Sequence, residues 1–139
     1  MFNNPSPERI RALLGKVKTI AVVGLSPRPA RPSHEVAKAM QDFGYRIVPV
    51  RPLVKEVLGQ RAYPALAEVP EKIDLVDVFR AVEHVDAIVD ECLRLGITRL
   101  WLQEGVINEK AAQRAQAGGI EVVMGRCILR DYLSLCVPR

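Results

Sequence analysis

Apolar residues rich in Val and Ile gather in five short runs, at positions 19–23, 45–50, 73–79, 98–102 and 120–124. Their first residues lie 26, 28, 25 and 22 positions apart, the length of one strand plus one helix. The runs are nearly continuous rather than alternating, which predicts strands buried on both faces, as a parallel sheet requires. The polar-rich stretches between them carry helical periodicity. Residues 33–43 open at a capping-type Ser33, hold Glu35 in the first turn, and stop at Gly44. Val36, Ala37, Met40 and Phe43 then form one apolar face. Residues 83–95 repeat the pattern through Val85, Ile88, Val89, Cys92 and Leu95 and stop at Gly96. A third helix, 108–117, starts at Asn108 and ends before Gly118 and Gly119. A leading helix, 7–14, has Ser6 as cap and Pro7 at its first position. The stretch 127–135 closes the chain as a last helix.

Residues 53–72 are the exception, a long connection with Gly59, Pro64 and Pro70 and only a short helical stretch at 65–68. Loops of this length are often functional. Five strands alternating with helices predict an α/β, doubly wound, Rossmann-like parallel sheet, in the order 3-2-1-4-5, with helices on both faces. The length of 139 residues suits one domain over 1–139. High apolar content, 49%, with 26% charged residues excludes a disordered chain. Three cysteines are too few for a disulfide scaffold and suit a reducing compartment. No apolar run approaches the ~20 residues of a membrane span, and positions 1–16 lack the apolar stretch of a signal peptide. A soluble, cytoplasmic protein without membrane attachment is expected.

The net charge of +4 is local. Between residues 25 and 55, six cations (Arg28, Arg31, Lys38, Arg46, Arg51, Lys55) face two anions (Glu35, Asp42), while 14 of each sign cancel elsewhere. A nucleic-acid binder spreads its cations along a face and adds aromatics for stacking. A compact cluster with 5% aromatics suits a small polyanion such as a nucleotide instead.

In doubly wound sheets ligands bind beyond the carboxyl ends of the strands, so the post-strand loops carry the candidate chemistry. After the first strand come Gly24, Ser26, Pro27, Arg28 and Arg31, with no G-x-G-x-x-G fingerprint. A helix start there offers N–H groups and a positive dipole to a phosphate, and the arginines add charge. After the second strand, an NAD site would hold an acid for the ribose hydroxyls. This chain has Arg51 and Pro52, with Lys55 nearby, which disfavours NAD and suits a phosphorylated ribose, as in NADP or coenzyme A. After the third strand, Phe79 and Arg80 would form a wall with a cation. After the fourth come Gln103, Glu104 and Gly105, and after the fifth Arg126 and Cys127. Cys127 reads as a small buried residue, His34 as an exposed helix-start residue and His84 as a surface residue. Asp74 and Asp77 lie an odd number of positions apart on one strand, so they face opposite ways and cannot cooperate. No metal-spaced cluster or Ser–His–Asp set is found.

Taken together, the motifs GLSPRPARPS, GYRIVPVRP, VDVFR, LWLQEGVIN and VVMGRC resemble the small stand-alone CoA-binding proteins of bacteria. These are similar to the N-terminal CoA-binding domain of the succinyl-CoA synthetase alpha subunit. The resemblance spans positions 19–132. It implies that Ser26, Pro27 and Arg28 contact CoA. The synthetase's CoA-contacting lysine follows the proline after the second strand. Here Lys55 stands one residue further on, and Arg51 is the alternative. The family's T-E-G matches Gln103-Glu104-Gly105 with Gln for Thr, and its N-C-P is only partly kept as Arg126-Cys127-Ile128. The synthetase also needs a second domain with a phosphorylated histidine and an ATP-grasp partner, which 139 residues do not accommodate.

The expectation is a binder of CoA or acyl-CoA, not an enzyme, that uses no metal. The alternatives are an NADP-linked enzyme or redox sensor, and a CoA-responsive interaction module with a protein partner.

Overall fold

The computed structural model describes residues 1–137. Its sheet has five parallel strands: β1 (Thr19–Val23), β2 (Arg46–Val50), β5 (Leu75–Val78), β6 (Arg99–Leu102) and β7 (Glu121–Met124). Two short strands, β3 (Glu56–Val57) and β4 (Gln60–Arg61), form a separate antiparallel hairpin in the long connection. Every residue of β5 is buried, as the near-continuous apolar runs require. Helices α1 (Pro7–Lys16), α2 (Pro32–Asp42) and α5 (Ile128–Leu135) cover one face, and α3 (Val85–Leu95) and α4 (Glu109–Ala117) the other. Trp101 anchors the first layer, fully buried, with its indole N–H donating to the Arg126 carbonyl at 2.7 Å. The caps read from the sequence form at α1 and α4, where Ser6 accepts from the Arg9 N–H and Asn108 from the Ala111 N–H. No helix among the described residues is long and apolar enough to cross a membrane.

The fold class is as expected; the strand order is not. The sheet runs β2-β1-β5-β6-β7, which in order of the five long strands is 2-1-3-4-5, not 3-2-1-4-5. The reason lies at the outer edge of β2. Residues 46, 48 and 50 turn their backbone groups toward β1, as the bonds Arg46 N–H to Lys18 and Gly24 N–H to Val50 show. Position 49 therefore faces outward, and it is a proline with no N–H to offer a neighbouring strand. Proline inside a sheet belongs on an edge strand. That edge is occupied instead by Tyr63, which donates to the Pro49 carbonyl and accepts from the Arg51 N–H. The chain then recrosses β1, and β5 pairs on its far side. The opposite edge, β7, meets the side chain of Asn4, whose amide accepts from the Met124 N–H at 2.8 Å and donates to its carbonyl at 2.9 Å.

This order moves the switch point to the crevice between β1 and β5. Asp74 stays at the other end of the sheet, accepting from the Thr19 and Lys18 N–H groups. Burial raises its pKa, but those bonds outweigh it and hold the carboxyl below its ordinary range. Asp77 is buried in mid-sheet, so the two acids are apart.

Candidate functional site

The loops after β1, β2, β5, β6 and β7 border a cleft of about 740 Å³ at this switch point, a size usual for small-molecule sites. Gly24 makes the crevice possible. Its φ is +87°, and a Cβ there would stand 2.5 Å from the Phe79 carbonyl oxygen and 2.8 Å from Arg80 Cδ. Only glycine lets the β1 and β5 loops approach this closely.

Ser26 organises the rest of the loop. Its N–H donates to Ser33 Oγ at 3.0 Å, its own Oγ accepts from the Arg28 N–H at 3.1 Å, and its carbonyl accepts from His34 Nδ1 at 2.9 Å. A carbonyl only accepts, so His34 carries its proton on Nδ1. His34 is thus a buried anchor of the loop, not the exposed helix-start residue expected, because the chain folds back over it. Ser33 is likewise not the cap of α2. The N-cap is Arg31, which makes no side-chain cap bond. The Ser33 hydroxyl is spent on the loop, and Ser33 and Pro32 line the cleft at the first turn of α2, where the Arg31 carbonyl accepts from the His34 and Glu35 N–H groups.

Gly24, Ser26, Pro27, Arg28, Arg51, Phe79, Arg80, Gln103 and Glu104 line the cleft. Pro52 lines an adjoining hollow of about 380 Å³ with Arg51, Arg80 and His84. Lys55 is exposed and borders neither space, and neither does Gly105, a turn residue at φ +81°. Arg31 joins the lining, as do the apolar Val36, Val54 and Val106. Cys127, read as a buried structural residue, is half-buried and faces the cleft at the N-cap of α5. Val36 sits one turn into α2, close to the β1–α2 loop; that adjacency was the available signal. Val54 follows a turn whose path the sequence does not reveal.

The electrostatics divide the cleft. Arg28, Arg31, Arg51 and Arg80 have no carboxylate within 4 Å among the described residues, whereas Arg46, Arg99, Arg114, Arg126 and Arg130 all do. Among the described residues, the Arg51 side chain reaches the Gly24 carbonyl at 3.4 Å and that of Arg80 reaches His84 Nε2 at 3.1 Å. Arg126 is held by the buried Asp131 through two bonds of 2.7 and 2.8 Å, which raise its pKa and remove it from the free cations. Glu104 is paired with Arg130 at 2.6 Å. On the β6 side, Gln103 is 4% exposed and donates from Nε2 to Asp77 Oδ1 at 2.6 Å. Burial pushes the Asp77 carboxyl up to about 7, against the bonds from Gln103 and the Val78 N–H.

Residues 18–132 match the model of a CoA binding domain. The chain is 46% identical over 127 residues to the uncharacterized protein YneT of Bacillus subtilis, covering 91% of this chain and 94% of that one. A hypothetical protein from Pyrococcus horikoshii superposes with a TM-score of 0.92 at 32% identity, with 99% of each chain covered. The ADP-forming acetate–CoA ligase I of Archaeoglobus fulgidus is 24% identical over 121 residues. That match takes in 80% of this chain but only 18% of the ligase.

Proposed function

We propose that this chain, which belongs to the CoA binding domain family, holds coenzyme A or an acyl-CoA in the cleft at the β1/β5 switch point and carries out no reaction of its own. The observation that carries the reading is the set of four arginines around one crevice that have no carboxylate partner among the described residues. Coenzyme A has a 3′-phosphate on its ribose and a diphosphate, so it brings enough negative charge to engage them. An arginine presents a planar fork of donors that matches a phosphate in two places at once. Arg51 stands at the ribose-reading position after β2, and Arg28 and Arg31 flank the start of α2, where the helix dipole also favours an anion. Phe79 and the valines offer an apolar surface for the adenine or the pantetheine arm.

The absence of chemistry in this reading rests on how the proton-carrying groups are used. Glu104 is tied to Arg130, Asp77 to Gln103, His34 to the Ser26 carbonyl, and His84 to Arg80. None of these four stands free beside another as an acid–base pair would, and this reading gives the Cys127 thiol at the cleft no chemical role. The same reading makes the ligand a small molecule rather than a nucleic acid or a membrane, and the setting cytoplasmic.

Calorimetry with CoA, dephospho-CoA and NADPH tests it. We expect CoA to bind below millimolar concentration. Dephospho-CoA should bind about ten-fold or more weakly, the usual worth of one charge-assisted contact. Replacing Arg51 by Ala should erase that difference. Tighter binding of NADPH than of CoA, or no CoA binding below millimolar, would overturn the reading.

A further inference from the structure

The carboxyl end of β6 presents a polar group that the arginine cluster does not explain. Asp77 and Trp101 are register partners on β5 and β6. Gln103, two residues beyond Trp101, emerges on the same face as Asp77 but nearer the cleft. Its Nε2 is committed to Asp77 at 2.6 Å. Among the described residues the side chain makes no other hydrogen bond, yet none of their side-chain polar atoms is both buried and unpartnered. Gln103 Oε1 therefore reaches a surface, and the surface that Gln103 lines is the cleft.

We propose that Asp77 is a positioning residue, orienting the Gln103 amide so that its carbonyl oxygen faces the cleft and selects a hydrogen-bond donor on the uncharged arm of the ligand. An ionised carboxylate can only accept, so it takes the amide's N–H and leaves the oxygen outward. A neutral amide acceptor repels phosphate oxygens. The cleft is thus polarised. Its β1, β2 and β5 side, with Arg28, Arg31, Arg51 and Arg80, takes the phosphates; its β6 and β7 side, with Gln103, Val106 and Cys127, takes a neutral segment carrying N–H or S–H donors. The proposal rests on the CoA reading above, and the pantetheine arm has both kinds of donor: two amides and a terminal thiol.

The experiment is calorimetry at pH 8, above the value of about 7 to which burial pushes Asp77, with three probes: CoA, desulfo-CoA, and adenosine 3′,5′-bisphosphate, which lacks the arm. Gln103→Leu is expected to weaken CoA about ten-fold, the worth of one hydrogen bond, and to leave the bisphosphate within two-fold. Asp77→Asn, whose amide no longer dictates which way Gln103 turns, should weaken CoA about three-fold and again spare the bisphosphate. Because Gln103→Leu alone strands a buried carboxylate, the pair Asp77→Val with Gln103→Leu is measured alongside it and should behave like the single variant toward ligands. If desulfo-CoA binds wild type and Gln103→Leu equally, the donor is the thiol; if it shows the same loss as CoA, the donor is an amide. Unchanged CoA affinity in both Gln103 variants overturns the proposal, as does an equal loss of CoA and bisphosphate, the mark of a merely structural role. Failure of the wild type to bind CoA would instead overturn the CoA reading, and this proposal with it.

Discussion

Asp77 carries a carboxyl group into the middle of a parallel sheet, in register with Val22 on one side and Trp101 on the other. Burial raises its pKa from 3.8 to about 7, and that shift has a definite sign in stability. The folded chain holds this proton more tightly than the unfolded chain. The contribution is therefore fully present below about pH 4, is lost as pH rises to about 7, and is constant above. At ~1.4 kcal/mol per unit, the loss is on the order of 4 kcal/mol. Urea unfolding of wild type and Asp77→Asn across pH 4 to 8 should show the wild type falling relative to the variant over that window. Parallel curves would mean the carboxyl titrates alike in both states. The sequence made Asp77 visible and, through the two-residue period of a strand, separated it from Asp74. It could not reveal Gln103 as its partner, because that contact depends on which strand lies next to β5. Ser33 and His34 were misread for a similar reason: a serine and a histidine at a helix start look like a cap and a surface group until the preceding loop folds onto them.

The β1–α2 loop works as a unit with the start of the β5 loop, and Gly24 is the joint. An alanine there would have to accept a positive φ and a Cβ 2.5 Å from the Phe79 carbonyl. We expect Gly24→Ala to cost about 2 kcal/mol or more and to push the Phe79–Arg80 loop away, so that thermal stability and CoA affinity fall together. A variant that melts like wild type and binds CoA as well would show that the loops do not need to meet. Elements with a regular period were legible almost to the residue: β1 matches its expected span and α3 ends at Leu95 as read. The β3–β4 hairpin was not, since two-residue strands have no period to detect. Its turn is also disguised. Both central residues, Leu58 and Gly59, have positive φ, at 54° and 73°, the pattern usually announced by Asn-Gly. Leucine in that place hides the signal.

Across the whole molecule, charge and strand order hold the same lesson. The local surplus of cations was readable as a sum over residues 25–55, but which of them are free was not. Lys38 pairs with Asp42 and Arg46 with Glu71. Arg28, Arg31 and Arg51 are left at the cleft, joined by Arg80 from outside that stretch. Pro49 was the overlooked clue to topology: a proline in the second strand marks a sheet border, which the order 3-2-1-4-5 would have buried.

The same proline bears on how the protein avoids its own copies. A parallel sheet with two bare borders is a template for adding strands from other chains. Here one border lacks a donor at Pro49 and is occupied by Tyr63, and the other is engaged at Met124 by the amide of Asn4. Asn4→Ala would uncover the Met124 groups without touching the cleft. Light scattering during prolonged incubation should then show faster self-association, with CoA affinity unchanged. Equal rates for both proteins would show that this border needs no guard. On this view a side chain at the start of the chain, remote from any ligand, works to keep one molecule from becoming a growth point for the next.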